Sequence, residues 1–276
     1  MTDMERNDLF QKAVFGGLVF YTLLILIPPI WILFASFKPS ADVTEMPPDF
    51  TSGYTLENYI DVFIHGTFPQ FLLNSAIIVT LTLIVTLTLG TAAGYALSRT
   101  ESSLKGDAHF FALTTRMGPP VAFGLPMYIL FSRGNILDTY LGMVIIYLLF
   151  NLAFAIWMMK GFFDEVPVEL EEAAQMDGYS RFSAFYKVAL PLVKPGLVAT
   201  AIFVFIFTWN EFFYALFLTN TDAKTYTVQL LAFQGSYDVQ WGELFAAASV
   251  ASLPPIVFAV IARKRLARGL TFGTIK

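Results

Sequence analysis

Six apolar runs, each about twenty residues long, constrain this chain more than any other feature of its sequence. They lie at about Lys12–Phe37, Gln70–Leu97, Asp107–Phe131, Thr139–Lys160, Pro195–Leu218 and Trp241–Ala262. Coiled as a helix, a run of that length matches the roughly 30 Å hydrocarbon core of a bilayer. Inside hydrocarbon every backbone N–H and C=O needs a partner within the protein, so only helices and closed barrels cross. A barrel would show segments of about ten residues with alternating polarity, and these runs do not alternate. The expectation is an all-α polytopic membrane protein with six transmembrane helices, built as one domain over 1–276. Composition agrees. Of the residues, 56% are hydrophobic and 14% charged, against roughly one quarter charged in a soluble domain.

Local signals punctuate the runs. Pro28-Pro29 sits inside the first and predicts a kink. The polar loop 38–69 is broken by Pro39, Pro47, Pro48, Gly53 and Pro69, with a short helix expected from about Thr55 to Phe63. Gly90 and Gly94 form a small-xxx-small pair suited to close helix contact. No small-residue cleavage pattern follows the first run, so it reads as a retained span rather than a signal peptide. Orientation follows from lysine and arginine, which are in excess on the cytoplasmic side. With the N-terminus inside, segments 1–12, 98–106, 160–195 and 263–276 hold 13 of the 17 basic residues. The three outer loops hold Lys38, Arg133 and Lys224, and Arg116 stays within the third run. A cell-membrane protein is expected with both termini, a loop 161–195 and a tail 263–276 in the cytoplasm. The loops 38–69 and 219–240 then face outward.

Several classes of function are excluded. The net charge of −4 gives no electrostatic footprint for nucleic acid. The chain has no cysteine, hence no disulfide or thiolate metal site, and its two histidines are scattered, so no metal site is expected. No glycine is followed by lysine, so the phosphate-cradling loop that ends in Gly-Lys-Ser/Thr is absent. Any ATP hydrolysis that drives this protein belongs to a separate subunit.

One segment is charged although it lies between two apolar runs. Pro167 opens it, and Glu169, Glu171 and Glu172 follow within the first turn, a helix start by proline placement and by dipole. Leu170, Ala173, Ala174 and Asp177 share one face by three- and four-residue spacing. Gly178 ends the helix where a left-handed residue costs least. A second short helix is expected from about Ser180 to Leu190, stopped by Pro191.

Glu172-Ala173-Ala174, three residues, Gly178, nine residues, Val188, one residue and Leu190-Pro191 together resemble the coupling-loop signature of binding-protein-dependent ABC importer permeases. Trp209-Asn210-Glu211 and Arg116-Met117-Gly118-Pro119-Pro120 resemble patterns of the carbohydrate-uptake branch, that of the maltose-system permeases. The resemblance implies that helix 168–178, about 16 Å long at 1.5 Å per residue, docks on an ATPase subunit. It assigns ATPase coupling to Glu169, Glu172, Ala173, Ala174, Asp177, Gly178, Leu190 and Pro191. The implied partners are a second homologous permease, two ATPase subunits that hold ATP and magnesium, and an extracytoplasmic solute-binding protein, all around the lipid bilayer. This chain itself carries no cofactor. The implied cargo is a sugar, oligosaccharide or polyol.

Ionisable groups inside a membrane are functional suspects because burial there is costly. Arg116 and Glu211 are the two here. They fit a substrate path, or a pairing with each other or with a neighbouring subunit that only holds the bundle together. Sugar recognition needs aromatic faces for rings, and amides or acids for hydroxyls. Trp209, Asn210, Glu211 and Tyr214 offer both within about one and a half turns of one helix, and Asn151 is a further candidate. Three alternatives stand beside this reading: a secondary transporter driven by an ion gradient, an ABC permease for a non-sugar solute, and a membrane scaffold without a substrate.

Overall fold

The computed structural model describes residues 3–45, 47, 50–51, 53–100, 118–235 and 238–271. Among them the chain is helical without a named strand, and one isolated bridge pairs Gln234 with Val239. In chain order the helices are α1 (Asp3–Ala35), α2 (Ser40–Val43), α3 (Glu57–Ile60), α4 (Phe68–Arg99), α5 (Pro120–Arg133) and α6 (Tyr140–Asp164). There follow α7 (Val168–Met176), α8 (Arg181–Leu192), α9 (Lys194–Trp209), α10 (Phe213–Leu218), α11 (Tyr226–Gln229) and α12 (Trp241–Thr271).

Among the described residues four stretches are long and apolar enough to cross a membrane: Gln11–Ala35, Phe68–Arg99, Tyr140–Asp164 and Trp241–Ile261. They correspond to the first, second, fourth and sixth runs. The fifth is different. α9 has 16 residues, about 24 Å of helix, short of a core of roughly 30 Å. It is bent by 73° from α8, and the chain leaves the helix after Trp209 before α10 begins. Of the third run, the described part forms α5, and Arg116 lies outside the described residues. α1 runs through Pro28 and Pro29. The short helix expected near 55–63 is α3, continued by a π turn over Asp61–His65.

The chain forms two compact units. The first, 1–69 with 230–252, has a polar knot. There the buried Asn58 donates to the Ser36 and Lys38 carbonyls, both at 2.8 Å, and Ser36 Oγ meets the Tyr59 hydroxyl at 2.7 Å. The second unit is 70–229 with 253–276. Its helices come together through small residues. A Cβ on Gly90 would lie 2.6 Å from Ala155 Cβ, and one on Gly94 would lie 2.9 Å from the Lys160 nitrogen. Lipid tails are as apolar as leucine, so close backbone packing rather than escape from water draws α4 and α6 together. One apolar core gathers Ile78, Phe131, Met143, Ile146, Tyr214 and Leu218. A second, of Met159, Phe163, Val166, Ala189 and Val193, lies where α6 meets the segment α7–α9.

Candidate functional site

α7 starts and stops as its sequence dictates. Pro167 holds φ −57° before Val168, and Glu169 and Glu171 occupy the first turn, where acids complement the helix dipole. At the other end Gly178 takes φ +92°. The Tyr179 N–H donates to the Ala174 carbonyl at 3.1 Å, and the Gly178 N–H to Gln175 at 3.0 Å. That pair of bonds is a Schellman closure, whose left-handed position favours glycine.

α7 turns one narrow side toward the rest of the chain. Its buried side chains are Glu171 and Ala174, whereas Ala173 and Asp177 are exposed. The cause is a cation waiting at the end of α4. Glu171 Oε1 accepts Arg99 Nε at 2.9 Å and Nη2 at 2.7 Å, and Oε2 accepts the Tyr95 hydroxyl at 2.5 Å. Arg99 also donates to Ser98 Oγ at 3.1 Å and to the Phe163 and Val166 carbonyls at 3.0 and 3.1 Å. One guanidinium thus fills its fork with a carboxylate from α7 and two carbonyls from the end of α6 and the residues after it. Among three acids so close in sequence, nothing in the segment itself singles out Glu171. The usable signal was Arg99, an arginine at the end of an apolar run with a buried acid to meet.

The expected coupling residues divide by exposure. Glu169, Glu172, Ala173, Asp177, Gly178 and Pro191 are exposed, Leu190 is half-buried and Ala174 faces inward. Large apolar side chains surround them: Met176 is 90% exposed, Phe182 76% and Tyr186 63%. Ser180 caps α8 by accepting from the Ser183 N–H at 3.2 Å. The second helix ends at Leu192, one residue beyond Pro191 and close to the expected stop. The helical path passes a π turn at Phe185–Ala189 and continues to Leu192.

The aromatic and amide residues expected on one helix are divided by a break. Asn210, Glu211 and Phe212 link α9 to α10. Glu211 makes the break. Its Oε1 accepts the Tyr214 N–H at 2.9 Å and its Oε2 the Ala215 N–H at 3.3 Å, so the carboxylate caps α10. Its own carbonyl accepts Thr227 Oγ1 at 2.9 Å. The Tyr147 hydroxyl faces the carboxylate without the geometry of a full hydrogen bond. Trp209 is buried between Phe205 and Tyr226, with ring centroids 5.6 and 5.0 Å away. Tyr214 stacks on Phe150 at 4.8 Å, its hydroxyl buried without a hydrogen bond. Asn151 is buried and donates to the Tyr147 carbonyl at 2.8 Å and to Thr208 Oγ1 at 3.2 Å. Asn210 alone of the five is exposed, its amide donating to the Ile206 carbonyl at 2.8 Å.

The family described as the inner membrane component of binding-protein-dependent transport systems matches residues 87–272. The match takes in α7 through α11, together with Arg99. The chain belongs to this family. As a permease of that family it is 38% identical over 252 residues to a probable ABC transporter permease of Sinorhizobium fredii, with 91% of this chain and 90% of the relative covered. It is 37% identical to the trehalose transport system permease SugB of Mycobacterium tuberculosis, covering 91% and 92% of the two chains. It is 32% identical to the trehalose/maltose permease MalG of Thermococcus litoralis, covering 99% of each. A chain of a bacterial ABC transporter that imports the acidic polysaccharide alginate has the same fold, with a TM-score of 0.78 at 22% identity over 96% of this chain and 99% of that one.

A second polar centre of the permease carries no motif and is invisible in the sequence. Asp138, between α5 and α6 at φ +54°, accepts the N–H groups of Asn220, Thr221, Asp222 and Ala223 at 2.9–3.0 Å and the Thr221 hydroxyl at 3.1 Å. Burial pushes its carboxyl up, but the four backbone donors outweigh burial and hold it down at about 2. Asn74 of α4 fastens the same loop by donating to the Asp222 and Lys224 carbonyls at 2.9 and 3.0 Å.

Proposed function

We propose that this permease is one of two in an ATP-driven importer of a sugar, oligosaccharide or polyol. It acts as a single domain, crosses the cell membrane six times and keeps both termini in the cytoplasm. ATP and magnesium are held by two partner ATPase subunits, and an extracytoplasmic binding protein delivers the solute. The observation that carries the reading is α7. It is a short rigid helix with a sealed end, pinned at one buried acid and presenting Glu172, Ala173, Met176 and Asp177 outward. Such a helix fits a groove on a neighbour and moves as one body. The concentration of basic residues in 160–195 supports a cytoplasmic face.

For the cargo, support comes from relatives named for trehalose and maltose transport and from the aromatic and amide residues at the break. Asn210 is the group best placed to meet a hydroxyl. Trp209, Tyr214, Asn151 and the Glu211 cap shape the wall behind it. The test is twofold. A cysteine placed at Met176, in a chain that has none, is labelled from the cytoplasmic side only and crosslinks to the co-purified ATPase. Asn210→Ala raises the apparent KM for the sugar carried by the associated binding protein. Labelling of Met176→Cys from outside intact cells would sink the reading. An unchanged KM in Asn210→Ala would remove Asn210 from the path.

A further inference from the structure

We propose that Arg99, with Glu171 and Tyr95, is the strut that makes α7 move as one piece with α4 and α6. The inference rests on the reading of α7 as the ATPase-facing helix. Three observations carry it. First, Glu171 is 3% exposed, and among the described residues it supplies the side-chain polar contacts that α7 makes to other elements. Second, the Leu170 side of α7 borders open space, and Ala174 is the apolar side chain that the helix buries. A hollow of about 260 Å³, lined by Phe162, Val166, Leu170, Leu192 and Pro195, lies there, so on that side the helix is held by the Glu171 contacts rather than by filled apolar packing. Third, the guanidinium reaches three elements at once. It bonds the α7 carboxylate, the Phe163 carbonyl of α6 and the Val166 carbonyl just beyond it, while rooted at the last residue of α4. A planar fork with fixed donor directions resists rotation in a way that a single ammonium does not. A push on α7 is therefore delivered to the ends of two long helices rather than absorbed in the loop. Arg99 and Glu171 act through other groups and are positioning residues.

The test uses the full complex in lipid nanodiscs, with nitroxide labels at Gln175→Cys on α7 and Leu89→Cys on α4. Distances are read by pulsed EPR without nucleotide and with ATP plus vanadate. With Arg99 present, the α7–α4 distance keeps the same mean and width in both states. In Arg99→Ala, ATP plus vanadate shifts or broadens it by about 2–5 Å, the scale of helix sliding at interfaces. Arg99→Lys, which keeps the charge and gives a readout should the alanine variant fold poorly, falls between. A wild-type distance that changes with nucleotide overturns the strut. So does an Arg99→Lys or Arg99→Ala distance that stays as fixed as the wild type. Loss of the Met176→Cys crosslink to the ATPase instead sinks the docking reading, whatever the distances show.

Discussion

Gly90→Ala adds one methyl group where α4 meets α6, and its effect follows from the geometry. The new Cβ would stand 2.6 Å from Ala155 Cβ and 3.3 Å from the Ala155 carbonyl carbon. Carbon atoms rest about 3.5–4.0 Å apart, so the helices must part by about 1 Å or Ala155 must shift. A Cβ cannot rotate away, and overpacking of this kind costs about 1–3 kcal/mol. Alanine in a helix interior contributes about 0.5–1 kcal/mol in the opposite direction. A net loss of about 1–2 kcal/mol is expected. Gly161, also within α6, is the control, because a Cβ there meets nothing within 4 Å. Gly161→Ala keeps the intrinsic gain without the clash and is neutral to stabilising. The assay is unfolding of the purified chain in mixed micelles by titration with a denaturing detergent, followed by helical circular dichroism. Adding Ala155→Gly to Gly90→Ala removes the opposing methyl and recovers most of the loss. Equal stability of the two single glycine variants, or no recovery in the double, refutes close packing as the cause.

Asp138→Asn keeps a residue that tolerates the left-handed backbone but loses the charge on its four N–H donors, costing about 1 kcal/mol after allowance for partial exposure. Since folding lowers the Asp138 pKa, the wild-type contribution is full above about pH 4 and lost as pH falls toward about 2; acid unfolding of the asparagine variant lacks that part of the slope. Gly178→Val meets no atom within 4 Å but must hold φ +92°, a strain of about 1–2 kcal/mol. Gly178→Asn is milder, and ATPase co-purification ranks the two. Tyr214→Phe discards a buried hydroxyl that makes no hydrogen bond and leaves thermal stability unchanged or raised; transport lost at full stability would place that hydroxyl on the solute path. Glu211→Ala uncaps α10 and lowers stability by about 1 kcal/mol, whereas Glu211→Gln retains an acceptor and loses less, as thermal unfolding will report.

Much of this was legible because the signals are local. Run length gave the long helices, Gly90 and Gly94 marked the α4–α6 contact, and Pro167 with Gly178 bracketed α7. What the sequence concealed depends on partners distant along the chain. Glu171 looks like its neighbours until Arg99, seventy-two residues away, turns it inward. Glu211 reads as a substrate acid in an unbroken helix until its carboxylate is seen capping the next one. Asp138 has no periodic or motif signal, because its ligands are backbone N–H groups that any residue supplies.

The carboxylate of Asp138 has a further consequence. Residues 220–223 are wound about a single pair of oxygens and roped to α4 through Asn74, so their outline is set when the chain folds. A visiting protein that touches this turn meets a finished shape and does not have to freeze a wandering one. Ordering a loop at the moment of contact weakens association, and here that ordering is already complete.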